Sequence, residues 1–151
     1  MYRASIRSIL NLSLFAVLLL VSASVLASDS MHKIVMHVDD NDPARMNLVL
    51  NNASNINKYY QDKAEEVMIE IVAYGPGLHM LRADTSPVKD RIKSFGQNFE
   101  NISFRACSNT LRKMSKKAGK DVPLVSQAKM VDSGAIHLIQ RQEEGWSYIR
   151  P

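Results

Sequence analysis

An α/β fold built on a mainly parallel sheet of five strands is what this chain predicts, and three observations lead there. Short apolar, β-branched segments alternate with longer segments whose apolar residues recur at helical spacing. The first of the short segments, Lys33 to Val38, is apolar on both faces, as a strand in a sheet covered on both sides requires. The ends of these segments run into clusters of Asp, Asn, Ser, Pro and Gly, which suit tight turns and helix starts.

Lys33-Ile34-Val35-Met36-His37-Val38 predicts the first strand, stopped by Asp39-Asp40-Asn41-Asp42-Pro43. Asp42 as N-cap with Pro43 at the first helical position begins a helix with Met46, Val49, Leu50, Ala53, Ile56 and Tyr60 on its apolar stripe. Glu66 to Tyr74 predicts the second strand, closed by Gly75-Pro76-Gly77, with a turn of helix over Leu78 to Arg82. Ser86 before Pro87 is a second cap-plus-proline start, leading a helix striped with Val88, Ile92, Phe95 and Phe99. Phe104 and its neighbours predict the third strand, and Asn109 to Lys117 the third helix, stopped near Gly119. A short strand near Ala128 to Val131 follows. Asp132 or Ser133 then caps a fourth helix with Ala135, Leu138 and Ile139 facing inward, and Trp146 to Ile149 predicts the last strand.

The first 27 residues read as a signal peptide. Arg3 and Arg7 precede an apolar run from Leu10 to Val21, and Val25 and Ala27 stand at the −3 and −1 positions of a cleavage site. A run of about 12 apolar residues is short of the roughly 20 that span a bilayer. The expectation is a periplasmic protein of one domain, residues 28–151, with no membrane attachment after cleavage. Removing Arg3 and Arg7 takes the net charge from +4 to +2. The remaining Lys and Arg are scattered apart from Arg112-Lys113 and Lys116-Lys117, a solvated helix face rather than a nucleic-acid footprint.

In parallel sheets, sites form where the carboxyl ends of strands meet helix starts. Three loops leave that edge: His37 to Asn41, Gly75 to His79, and Cys107 to Asn109. Cys107 is the chain's only cysteine, so it has no partner for a disulfide within the chain. A helix start beside it favours thiolate over thiol, and the expectation is an accessible nucleophile. Packing as a small buried hydrophobe, or pairing with another chain, are the competing fates. His37 and His79 could deprotonate or orient the thiol; alternatively His37 packs within its strand and His79 lies on a helix surface.

Asp39, Asn41, Gly75, Gly77, Ser108 and Asn109 are the other rim candidates, as contacts to a small anion. The acidic loop matches no calcium-loop spacing, and a strand-to-helix turn calls for Asp and Asn in any case. No phosphate loop or dinucleotide fingerprint is present, so neither a metal nor a cofactor is expected. Tyr59, Tyr60, Trp146 and Tyr148 are expected to be exposed and to supply an interface.

The segments His-Val-Asp at the end of the first strand, Tyr-Gly-Pro-Gly-Leu, Phe-Arg-Ala-Cys-Ser-Asn-Thr-Leu, and Ser-Gly-Ala-Ile-His-Leu-Ile-Gln with Gly-Trp-Ser-Tyr-Ile-Arg-Pro resemble the DsrE/DsrF-like family, in its branch of small exported bacterial proteins. The resemblance spans about Lys33 to Pro151. It implies a flavodoxin-like three-layer α/β/α sandwich, assembly into homo-trimers or homo-hexamers, and a sulfur-handling role in which Cys107 carries sulfur as a persulfide between a donor and an acceptor. The leader departs from the cytoplasmic relays of the better-known relatives. A non-catalytic module that holds a small anion or a partner at the same rim is the second function consistent with the residues.

Overall fold

The computed structural model describes residues 31–151, and the expected leader, residues 1–27, lies outside them. His32–Val38 forms β1, with every residue from Ile34 to Val38 buried. The chain turns through Asp39 to Asp42 and enters α1, Pro43–Gln61, where the Asp42 carboxylate accepts the Ala44 N–H at 2.9 Å. That is the cap-and-proline start the residues predict. Val67–Ala73 forms β2, and a 3-10 helix over Gly75–Leu81 follows it. The next helix, α2, spans Lys89–Asn98 and begins later than Ser86-Pro87 suggests. Ser86 is buried; its hydroxyl donates to the Met80 carbonyl at 2.5 Å and accepts the Val88 N–H at 3.2 Å. It closes a turn before the helix instead of capping it.

Ile102–Cys107 forms β3 and passes without a loop into α3, Ser108–Ala118, which stops at Gly119 with a left-handed φ of 65°. Ala128–Val131 forms β4, Gly134–Glu143 forms α4, and Ser147–Ile149 forms β5. The five strands make one sheet in the order β4-β3-β2-β1-β5, and all four pairings are parallel. The fold is therefore a three-layer α/β/α sandwich of flavodoxin-like class, as predicted, with its own strand order.

That order explains how the layers are filled. From β1 to β4 each crossover steps the same way, and right-handed crossovers put their helices on one face. Leu111 and Met114 of α3 accordingly join α1, α2 and the 3-10 helix over the core of Met36, Ile69, Ile71 and Phe104. The β4-to-β5 connection steps back past β1, so α4 falls on the opposite face. There it covers a smaller cluster of Val35, Val72, Leu138 and Trp146.

Two sequence expectations change, one for the aromatic residues and one for the inward stripe of α4. Trp146 is buried beneath α4, with the Arg141 guanidinium 4.8 Å from its ring centre, so it offers no aromatic surface to a partner. Tyr60 is half-buried and stacked on His32 at 4.0 Å, which leaves Tyr59 and Tyr148 exposed. On α4, Leu138 faces inward, but Ala135 and Ile139 face solvent. The inward stripe is Gly134, His137, Leu138 and Arg141, because the sheet beneath presents a carboxylate as well as apolar residues. Among the described residues no helix is long and apolar enough to cross a membrane.

Candidate functional site

Cys107 ends β3 and occupies the N-cap position of α3, where its side chain closes no regular capping hydrogen bond. Its side chain belongs to the α4 face of the sheet, alternating with Ala106 on the other. The pairing Cys107↔Val131 carries the chain on through Asp132 and Ser133 to the start of α4, so two helix N-termini meet at one sulfur. Burial pushes the Cys107 thiol up, but the Thr110 hydroxyl and the backbone N–H groups of Gly134, Thr110 and Asn109 lie toward the sulfur and together hold it below the ordinary thiol value. The Thr110 oxygen accepts the Gly75 N–H at 3.0 Å, which leaves its own proton free for the sulfur. The Asn109 N–H also reaches the Asp132 carbonyl at 3.3 Å.

The sulfur is not open to solvent as the sequence suggests: Cys107 is only 4% exposed. Tyr74 and the start of α4 enclose it. The pairing Ala73↔Ala106 sets the next residues, Tyr74 and Cys107, on neighbouring strands about 4.8 Å apart. Tyr74 also lies against Gly134, where an added Cβ would stand 2.8 Å from the tyrosine Cβ. Only glycine lets the helix begin this close to the sheet.

The predicted histidines are at the rim, but neither is brought to the thiol. His79 is bonded through Nδ1 to the Asn41 side chain and through Nε2 to the Thr85 hydroxyl at 2.9 Å. His37 lies beyond Tyr74, whose ring centre is 5.5 Å from its own. Its Nδ1 pairs with the Tyr148 hydroxyl at 2.5 Å, while Nε2 is buried without a hydrogen-bond partner, 3.4 Å from Asp39 in poor geometry. Burial lowers the His37 pKa despite the opposing Asp39 charge. With the tyrosine donating to Nδ1, the proton of the neutral ring sits on Nε2 and faces Asp39. Arg150 approaches the other Asp39 oxygen at 3.5 Å. This second cluster occupies the place between β1 and β5 where the strand order reverses.

The other rim candidates divide. Gly75 supports the thiol indirectly, by donating its N–H to the Thr110 hydroxyl. Gly77 donates its N–H to the Asp39 carbonyl at 3.1 Å and binds two strand ends together. Ser108 is half-buried, and Asn109 is exposed with its side-chain oxygen on Arg112. Asp39 and Asn41 belong to the histidine partners. Among the described residues no three His, Cys, Asp or Glu side chains converge as metal ligands.

Sequence reasoning missed Glu70. It is 1% exposed in the middle of β2, on the face that α4 covers, and accepts from Arg105, His137 and Arg141. Burial works against its charge, yet these donors hold its pKa down at about 2. The signal was an acid inside an otherwise apolar strand, Val67-Met68-Ile69-Glu70-Ile71-Val72: a carboxylate there has to be paired.

No protein-family model and no curated protein matches the chain. Solved structures similar to it include the following two. One is a protein of unknown function, MTH1491 from Methanobacterium thermoautotrophicum, at 38% identity and a TM-score of 0.65; the match covers 80% of this chain and 99% of that one. The other is a conserved protein of unknown function, BT1422 from Bacteroides thetaiotaomicron, at 16% identity and a TM-score of 0.55, covering 83% of this chain and 99% of that one. At that identity the second likeness concerns the fold alone.

Proposed function

The chain belongs to the same family as the Methanobacterium thermoautotrophicum protein, and we propose that its Cys107 carries sulfur as a persulfide. The observation that carries this reading is the meeting of two helix starts and the Thr110 hydroxyl at one thiol, which lowers its pKa despite burial. The resemblance to DsrE/DsrF-like proteins over the Ala-Cys-Ser-Asn-Thr-Leu segment supports it. Thiolate is the attacking form. It displaces the outer sulfur of a sulfane donor: the donor's S–S bond breaks, a bond from Cys107 Sγ to that sulfur forms, and the leaving group departs with the electron pair. From thiosulfate the leaving group is sulfite. The same N–H groups then face the persulfide anion. A cleft of about 310 Å³ at the β4-to-α4 connection, lined by Val131, Asp132, Ser133, Ile136 and His137, is the side from which we infer that a small donor or acceptor approaches.

Incubated with thiosulfate, the protein is expected to release about one sulfite per chain, and Cys107→Ser none. The 4% exposure of Cys107 favours the second reading, a non-catalytic module that binds a small anion at the same N–H groups. Equal thiosulfate binding by both proteins, with sulfite from neither, would establish that module and overturn the carrier.

Residues 1–27, read as a signal peptide, support a periplasmic location for this activity. Exposed Met130, Ile136 and Ile139 at β4 and α4 supply apolar area for a homo-trimer or homo-hexamer. Native mass spectrometry of protein from the periplasm tests both: assembled chains beginning at Ser28 are expected, and single chains beginning at Met1 would reject them.

A further inference from the structure

Among the described residues Glu70 is the only buried acid, and its partners come from two different elements. Arg105 of β3 donates through Nε at 3.0 Å and through one terminal nitrogen. From α4, His137 Nε2 lies 2.6 Å from one carboxylate oxygen. Arg141 donates Nε to the same oxygen at 2.9 Å and a terminal nitrogen to the other at 3.1 Å. Gly134, His137 and Arg141 follow one another at three- and four-residue spacing, so they share the face of α4 that meets the sheet.

A buried ion network is weak evidence for stability, since apolar residues of similar volume hold a helix to a sheet at least as well. What it adds is direction. Donors on two successive turns, converging on one carboxylate, fix both the rotation of α4 and its position along its axis. An apolar contact tolerates slippage in either. The position so fixed matters one turn earlier, where the Gly134 N–H lies toward Cys107.

We propose that Glu70, through His137 and Arg141, is the positioning residue that holds α4 where the Gly134 N–H meets the Cys107 sulfur. Glu70 touches no reacting atom; it acts through the helix. Tyr74 sets the complementary limit, because it leaves room for glycine only at the helix start. The inference deepens the persulfide reading by naming what keeps its thiol in the reactive form. It is tested on the thiol itself, so a protein that takes up no sulfur still answers it.

The test is the pH dependence of iodoacetamide alkylation of Cys107 in the folded full chain. Charged and titratable groups on the elements around the sulfur include Glu70 of β2, Tyr74 after it, Arg105 of β3, Arg112 and Lys113 of α3, Lys129 of β4, Asp132, and His137 and Arg141 of α4, and each substitution changes one of them at most. Thr110→Val removes the hydroxyl that lies toward the sulfur and calibrates the shift; an unmoved midpoint there contradicts the donor account of the thiol and this inference with it. His137→Leu keeps bulk but loses the donor, and its midpoint is expected to rise by about half to one unit, the size of one helix-end contribution. His137→Gln restores a donor without a charge and is expected to recover most of that rise. An unmoved midpoint in folded His137→Leu, or equal rises in the Leu and Gln variants, overturns the proposal. Should His137→Leu fail to fold, Arg141→Lys is read the same way, with a rise supporting the anchor and no change rejecting it.

Discussion

Replacing Glu70 with alanine is expected to destabilise the protein by about 3 kcal/mol at neutral pH, the low end of what breaking a buried ion pair costs. The low end applies because the partners are not fully buried: the Arg105, His137 and Arg141 side chains keep 21%, 12% and 23% exposure and can recover some water. The pKa leads to a similar figure, about 3.5 kcal/mol. Glu70 falls from 4.5 to about 2 on folding, and a unit is worth about 1.4 kcal/mol. A depressed carboxylate stabilises fully above its unfolded value and loses that contribution as pH falls through its folded one. The protein should therefore weaken between pH 4.5 and pH 2, and Glu70→Ala should lose that component of its pH dependence. Urea unfolding at pH 7, 4.5 and 2.5 measures both effects. Parallel losses in the two proteins over that window would mean that other carboxylates carry the acid response.

Gly77→Ala is expected to cost more than about 3 kcal/mol, beyond the usual range for overpacking. A Cβ there would stand 2.1 Å from the Val38 carbonyl oxygen and 2.7 Å from the Asp39 nitrogen. Both are backbone atoms, and the first is already in use, since the Val38 carbonyl accepts the Tyr74 N–H at 3.2 Å, and the Asp39 carbonyl next along the chain accepts the Gly77 N–H. No rotamer change relieves the overlap. Either the end of β1 or the 3-10 helix has to move, and both carry rim residues. Gly119→Ala is the contrast: its φ is 65°, but nothing lies within 4 Å of the added carbon. The cost there is the left-handed conformation alone, about 1 kcal/mol. Denaturant midpoints that fell equally in the two variants would remove the close approach at Gly77 as the cause.

Much of the sheet was legible because its signals are local. The apolar runs of β1 and β2, the alternation in β3, and the Asp42-Pro43 start of α1 depend on neighbours in sequence. The strand end at Cys107 was legible for the same reason, as a pattern of period two changes there to one of period 3.6. The second face was not legible. Whether Ile139 or His137 points inward depends on what lies across the gap, and that is set by Glu70, sixty-seven residues before His137. An amphipathic count turns Ile139 inward, whereas pairing a buried carboxylate turns His137 and Arg141 inward at its expense. The histidines failed for a related reason. Placement of His37 and His79 on the correct edge follows from topology, but Tyr74 stands between His37 and the sulfur, and Asn41 and Thr85 hold His79. The contribution of α4 to Cys107 required the β4-to-β5 reversal, which no local pattern encodes.

The most direct test of the Cys107 assignment is the intact mass of the folded protein after exposure to polysulfide or thiosulfate. One adduct of about 32 Da per chain is expected, removed by dithiothreitol and missing from Cys107→Ser, as a persulfide requires. An unchanged mass for the folded protein, with the same adduct appearing only after denaturation, would contradict the carrier and make Cys107 a packing residue.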